Sequence, residues 1–201
     1  MPWLKPGRIT GVGEIVEVRH GETEWSAAGR HTSHTDIDLT AEGERQATRL
    51  GKALRGHPLV AVFASPRKRA LRTANLAGVT VTEVDEDLSE WNYGEYEGLT
   101  TAEIHRSRPD WSLWTDGCPG GESPDQVGVR LDRVLARVRP LLSRGDVALI
   151  GHGHALRVAA ARWIGLPTGG GGLLKLDTAT LSRLGHEHGR PVVVRWNQPP
   201  P

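Results

Sequence analysis

The sequence is poor in the residues on which several protein classes depend. Its single cysteine, Cys118, excludes an intrachain disulfide. No apolar run is long enough for a membrane span, and the first twenty residues contain Gly, Pro and charges where a signal peptide requires an apolar core. These absences predict a soluble, cytoplasmic protein with no membrane partner.

An excess of charge of either sign is also lacking. The chain has 25 Lys plus Arg against 24 Asp plus Glu, a formal net charge of +1, so no global field draws it to nucleic acid. Only four of the cations are lysines, and Arg presents a planar fork that suits phosphate. Any basic site is therefore local and rich in Arg.

The length of 201 residues and the absence of a recognisable linker predict a single domain over residues 1–201, with an irregular lead-in at 1–13 and a frayed tail at 197–201. Apolar runs alternate with helix-forming segments, which predicts an α/β fold around a mostly parallel sheet. The predicted strands are residues 15–19, 59–64, 79–84, 147–150, 173–176, 180–186 and 192–196. The predicted helices are residues 40–55, 67–76, 100–108, 124–141 and 155–164.

Two of the predicted strands end in histidine and glycine. Arg19, His20 and Gly21 follow the first strand, and residues 151–154 follow the strand at 147–150. The carboxyl ends of parallel strands form the ligand-binding edge of an open sheet. Cationic donors around an imidazole there indicate a site for a phosphate dianion, with a histidine that can attack phosphorus.

Two clusters of charge adjoin this predicted edge. Four cations, at positions 67, 68, 69 and 72, begin a helix whose dipole they oppose, so we expect one of them to point inward. Residues 85–98 combine carboxylates with aromatic rings, an environment that can produce a general acid. The spacing does not say which carboxylate it is. Glu17, inside the first strand, is expected to be partly exposed or paired with a nearby Arg.

Two other classes of site are compatible with the same residues. Three close histidine pairs, 31 and 34, 152 and 154, and 186 and 188, could indicate a metal site, although the density of Arg would repel a dication. A non-catalytic phospholigand-binding module would need only the pocket. Such a module needs neither a nucleophile nor an acid. This sequence contains a candidate nucleophile and several loop carboxylates, which favours an enzyme.

Five segments, taken together and in order, are identified as those of a known family. RHGETEW, SPRKRALRTA, LSEWNYGEYEG, GGES and GHGH resemble motifs of the histidine phosphatase superfamily, also called the phosphoglycerate mutase-like proteins. The match extends from residue 15 to about residue 165. The resemblance implies a three-layer α/β/α sandwich around a mostly parallel sheet.

The resemblance also implies roles for individual residues. It assigns His20 as the nucleophile that becomes phosphohistidine, Glu90 as the proton donor, and Arg19, Arg69 and His152 as the rest of the phosphate pocket. Weaker assignments place substrate contacts at Thr32 and Gly153. His154 stands where relatives often carry other polar residues and is a further candidate contact. Candidates for the pocket rim, independent of the resemblance, are Trp25, Trp114, Arg106 and Arg108.

The implied activity is hydrolysis of phosphomonoesters with no metal and no cofactor. Members that act as mutases resemble one another in a long insertion after the acidic loop, whereas only about thirty residues separate Glu90 from Ser123 here. Small acid phosphatases and sugar phosphatases are therefore the more similar members, and a cofactor-dependent phosphoglycerate mutase is the alternative. We expect the partner to be a small phosphate ester such as a sugar phosphate or a phosphoglycerate-like acid. The oligomeric state stays open, and a homo-oligomer is compatible with the sequence.

Overall fold

A computed structural model describes residues 12–200, and its centre is a six-stranded sheet in the order β3-β2-β4-β1-β5-β6. The strands are β1 (Ile15–Arg19), β2 (Leu59–Ala64), β3 (Glu83–Val84), β4 (Asp146–Gly151), β5 (Leu181–Glu187) and β6 (Arg190–Gln198). The first four are mutually parallel, and β5 and β6 are antiparallel to their neighbours. The expected mostly parallel α/β sheet is confirmed.

Helices cover both faces of this sheet. They are α1 (Glu24–Ala27), α2 (Ala41–Leu54), α3 (Lys68–Leu76), α4 (Thr101–Ser107), α5 (Leu113–Asp116), α6 (Pro124–Val138) and α7 (Gly153–Trp163). A capping box of Ser123 and Gln126 begins α6. Shorter 3₁₀ turns occupy Glu86–Leu88, Gly94–Tyr96, Arg139–Ser143 and Thr168–Leu173.

The alternation of side chains along β1 explains the three layers. Ile15 belongs to the apolar cluster that includes Leu131 of α6 and Leu156 of α7. Val16 and Val18 point the other way, into the cluster that includes Leu50 of α2. Because β1 is buried on both faces, its apolar residues Ile15, Val16 and Val18 serve two separate cores. The predicted sandwich is therefore confirmed.

Glu17 corrects the expectation of a partly exposed or paired carboxylate. Its side chain is 1 % exposed, and neither carboxylate oxygen has a hydrogen-bond partner among residues 12–200. The cause is its place in the sheet, where β4 on one side and β5 on the other bring Leu149 and Ser182 opposite it. Burial raises the pKa of this carboxyl well above its ordinary value.

The predicted strand at 79–84 is wrong over most of its length. Only Glu83 and Val84 pair with β2, and Thr82 beside them bonds Val62 through both its backbone N–H and its hydroxyl. The predicted strand at 173–176 is also wrong. The glycines before it form the 3₁₀ turn Thr168–Leu173, and residues 174–176 pair with no strand of the sheet.

The predicted tail begins later than expected. Asn197 and Gln198 belong to β6, and Gln198 pairs with Leu181 of β5. Residues 12 and 13 have no regular structure, as predicted for the lead-in. The rest of the lead-in, residues 1–11, and residue 201 lie outside the described residues. No helix among those described is long and apolar enough to cross a membrane.

Candidate active site

A cavity of about 190 Å³ opens at the carboxyl edge of the sheet. Arg19 of β1 is in register with Gly151 of β4, and Ala64 of β2 with Ile150, so three strands end together as predicted. Six residues singled out from the sequence line the cavity: Arg19, His20, Thr32, Glu90, Gly153 and His154.

The imidazole of His20 is held in one orientation and one tautomer. The backbone N–H of the next residue, Gly21, donates to Thr73 Oγ1 of α3. His20 Nδ1 lies 2.7 Å from the Gly21 carbonyl oxygen. A carbonyl only accepts, so Nδ1 carries the proton and the lone pair is on Nε2.

Burial first, and then the charges of Arg69 and Arg19, hold the pKa of His20 well below its ordinary value. The ring is therefore neutral near pH 7, which is the form that can attack an electrophile.

Arg19 is the cation of β1 that lines the cavity. One of its terminal nitrogens donates to the Leu176 carbonyl, while its Nε is buried and has no partner among residues 12–200. A buried guanidinium donor without a partner fits an anionic ligand. Gly153 lies against this guanidinium, because a Cβ at residue 153 would stand 3.2 Å from Arg19 Cζ. Gly153 also begins α7, where backbone N–H groups have no intrahelical partner and favour an anion.

Three backbone N–H groups fix the carboxylate of Glu90. Its Oε1 accepts from Trp91 at 2.9 Å and from Ala155 at 2.9 Å, and its Oε2 accepts from His154 at 3.0 Å. Two of these donors belong to the first turn of α7, so Glu90 occupies part of the positive end of that helix. Oε2 accepts only this one hydrogen bond among residues 12–200, so it can also bind a proton.

Arg69 is the inward-pointing member of the four-cation cluster, as expected, but it does not line the cavity. It is fully buried, and its terminal nitrogens donate to the carbonyls of Thr32, Ser33 and Thr35. These bonds hold the loop that carries Thr32, whose hydroxyl donates to the Arg30 carbonyl.

His152 is also fully buried and absent from the cavity wall. Its Nδ1 accepts from Arg69 Nε at 3.2 Å, and its Nε2 lies 2.7 Å from Ser65 Oγ. Its ring centroid is 5.1 Å from that of His20. The two predicted pocket residues thus stand directly behind the imidazole of His20.

The histidine phosphatase superfamily (branch 1) model matches residues 15–199 of the chain. The chain belongs to this superfamily. Its expected class, a phosphatase enzyme, is thereby confirmed.

Two curated relatives of this histidine phosphatase cover most of its length. An acid phosphatase of Mycobacterium tuberculosis is 47 % identical over 177 residues, which are 87 % of each chain. A sedoheptulose 1,7-bisphosphatase of Saccharomyces cerevisiae is 39 % identical over 198 residues, covering 83 % of this chain and 70 % of the relative. The solved structure of a Mycobacterium tuberculosis open reading frame superposes with a TM-score of 0.91 at 42 % identity, covering 94 % of this chain and 99 % of the other.

Four residues expected at the pocket rim do not line the cavity of this histidine phosphatase. They are Trp25, Trp114, Arg106 and Arg108. The Trp25 ring packs on Gly98, and Arg108 donates to the Tyr96 hydroxyl. Trp114 lies behind the cavity wall, where its ring contacts the wall residues His154 and Arg157.

Other residues on the wall were missed by sequence reasoning. They include Arg30, His31, Tyr93 and Arg157. Arg157 stands four positions after Gly153, one helical turn along α7, so its spacing was a usable signal. His31 was considered only as half of a metal pair. Among residues 12–200 there is no group of three or more His, Cys, Asp or Glu that could hold a metal ion.

Proposed function

We propose that this histidine phosphatase hydrolyses small phosphomonoesters, such as sugar phosphates, through a phosphohistidine at His20. The observation that supports it best is the neutral, oriented imidazole whose free Nε2 belongs to a residue on the cavity wall. The cavity, at about 190 Å³, suits a small ester rather than a macromolecule. The names of the two curated relatives, an acid phosphatase and a sugar bisphosphatase, support the same substrate class.

In the first half-reaction His20 Nε2 attacks phosphorus while the bond from phosphorus to the ester oxygen breaks. The guanidinium of Arg19 and the Gly153 N–H stabilise the charge on the non-bridging oxygens. A proton on Glu90 Oε2 passes to the leaving oxygen. In the second half-reaction the ionised Glu90 takes a proton from water, which attacks phosphorus and releases inorganic phosphate and the neutral imidazole.

Arg69 and His152 act from behind the nucleophile in this proposal. Arg69 is the largest charged contributor to the lowered pKa of His20 and so favours its neutral form. His152 fills the space against the His20 ring and is itself held by Ser65 and Arg69. In this proposal both are positioning residues, whereas the resemblance to the family implies direct contact with phosphate.

We prefer hydrolysis to phosphoryl transfer because the segment that could cover the cavity and exclude water is short. The segment between Glu90 and Ser123 contains only the 3₁₀ turn Gly94–Tyr96 and the short helices α4 and α5. A mutase must keep water from its phosphorylated intermediate.

A substrate panel tests the proposal. We expect phosphate release from sugar phosphates and from an aryl phosphate, abolished in His20→Ala and strongly reduced in Glu90→Gln. Dominant conversion of 3- to 2-phosphoglycerate would contradict hydrolysis, and unchanged turnover in His20→Ala would contradict the mechanism. A cytoplasmic location and a homo-oligomer stay predictions.

A further inference from the structure

Two imidazoles face each other on the cavity wall. His31 comes from the loop between α1 and α2, and His154 from the first turn of α7. Their rings are nearly parallel, with 15° between planes and 6.1 Å between centroids. The reaction assigned to His20 and Glu90 uses neither ring, and the protein binds only Nδ1 of each.

His31 presents an acceptor. Its Nδ1 lies 2.8 Å from the Leu99 carbonyl oxygen, so Nδ1 carries the proton. Burial lowers the pKa of the ring and keeps it neutral. Nε2 therefore has a free lone pair, and no partner for it is recorded in the described part of the chain.

His154 presents a donor. Its Nδ1 lies 2.6 Å from the hydroxyl oxygen of Tyr93. Tyr93 is 1 % exposed and burial raises its pKa, so the phenol keeps a proton that needs an acceptor. Within residues 12–200 that acceptor is His154 Nδ1. The neutral imidazole of His154, whose pKa burial lowers, consequently carries its own proton on Nε2.

Aromatic side chains hold the two rings in place. Tyr93 and Trp111 meet the His31 ring edge to face, with centroids 4.7 and 5.8 Å away. Trp114 meets the His154 ring in the same manner at 5.3 Å. Such contacts restrict ring rotation, so the donor and the acceptor keep a fixed separation.

The neighbouring cations are already engaged by the protein. Arg157 donates to the carbonyls of Gly171 and Gly172 and stacks on Trp114. Arg30 donates to the Gly98 carbonyl. The imidazole pair adds two neutral ring nitrogens to a wall that also carries these cations and several hydroxyl groups. The pair also adjoins the proton donor, since the backbone N–H of His154 binds Glu90 Oε2.

We propose that His31 and His154 form a hydroxyl-recognition subsite, which selects phosphate esters of polyols and sugars through a hydroxyl on the leaving group. A hydroxyl accepts from His154 Nε2–H and donates to His31 Nε2, and so satisfies both atoms at once. A carboxylate or a second phosphate cannot donate, and an alkyl or aryl group can do neither. This inference rests on the proposed function, because the hydroxyl belongs to the substrate of His20.

Two substrates of equal chain length test the subsite: ribitol 5-phosphate and pentyl phosphate. We expect kcat/KM to favour ribitol 5-phosphate by about tenfold or more, because pentyl phosphate leaves both imidazole edges unpaired. In His31→Ala and in His154→Ala the preference falls by about tenfold. Tyr93→Phe keeps the packing but frees the tautomer of His154, and it lowers the preference even where an alanine variant does not fold.

His34→Ala is the matched control, since His34 lies in the same loop but is exposed. Its preference for ribitol 5-phosphate equals that of the wild type. Equal turnover of the two substrates by the wild type, or an unchanged preference in both alanine variants and in Tyr93→Phe, would overturn the subsite and leave the proposed function standing. Failure of the wild type to release phosphate from either ester or from an aryl phosphate would overturn both.

Discussion

Arg69 Nε donates to His152 Nδ1 at 3.2 Å, and this bond joins two fully buried side chains behind the nucleophile. It leaves the proton of the His152 ring on Nε2, which is directed to Ser65 Oγ. The charge of Arg69 thus lies in a dry environment next to His20, where screening by water is weak. The charge of Arg69 therefore lowers the pKa of His20 and keeps this nucleophile neutral.

The acid limb of kcat/KM against pH should therefore lie well below pH 6.5. A base with a depressed pKa stays neutral as the pH falls through its ordinary value, so His20 remains able to attack. In Arg69→Gln the limb should move to higher pH, because a charge that lowers the pKa of His20 is lost.

Steady-state kinetics with an aryl phosphate measures this shift. Arg72→Gln serves as the control, since Arg72 lies on the same helix but is exposed and bonded to Glu44. A wild-type limb centred at pH 6.5, or an unmoved limb in Arg69→Gln, would contradict the account.

Arg130 should position the loop that carries Glu90. It donates to the carbonyls of Asp87 and Ser89 and forms a two-pronged bond with the Glu122 carboxylate. Arg130→Lys cannot reproduce this geometry. We expect a loss of about 3 kcal/mol in the free energy of unfolding, since a largely buried ion pair is broken.

The same variant separates positioning from stability alone. At a temperature where Arg130→Lys is folded, kcat should fall while KM changes little, because the displaced Glu90 acts in the chemical step. Arg133→Ala, on the same helix, removes only a surface pair with Asp87 and should leave kcat as it is. Equal kcat values for Arg130→Lys and the wild type would refute the positioning role.

Glu17 should make the protein less stable as the pH rises. Its folded pKa is raised, so above the unfolded value near 4.5 the native state holds a proton that the unfolded chain has released. The free energy of unfolding therefore decreases with pH through this window. Glu17→Gln cannot ionise, so its stability advantage over the wild type should grow from pH 5 to pH 8.

Urea unfolding at several pH values measures the effect. Glu187→Gln is the control, because Glu187 is an exposed strand carboxylate. A difference between Glu17→Gln and the wild type that is independent of pH would show that Glu17 is ionised in the native state.

Turnover of an aryl phosphate should persist in excess chelator. The proposed steps use only side chains and backbone of this chain, and His20 needs no metal to become neutral. The assay compares rates before and after dialysis against the chelator. A rate that falls on dialysis and returns with a divalent cation would contradict the metal-independent mechanism.

The parts of the site that follow directly from strand ends could be predicted from the sequence. Arg19 and His20 end β1, and Gly153 follows β4, so the parallel topology alone brings them to one edge. Glu90 needed the resemblance to the family as well, since its loop holds many carboxylates. The placement of Arg69 behind His20 could not be predicted, because it depends on how the 32–35 loop folds back over α3.

The remaining misses share a physical cause, which is long-range packing. His31 reaches the cavity because its backbone pairs with Leu99, 68 residues away. The burial of Glu17 depends on β5 joining the sheet beside β1, which no local pattern around residue 17 indicates. Such features arise from tertiary contacts between distant segments.

The most direct test of the central claim is to look for phosphate on His20. Rapid mixing with a radiolabelled phosphate ester, followed by quenching at alkaline pH and peptide mass spectrometry, detects an acid-labile phosphoramidate. We expect label on Nε2 of His20 in the wild type and none in His20→Ala. Label on another residue, or full turnover with no labelled intermediate and full activity in His20→Ala, would contradict the account.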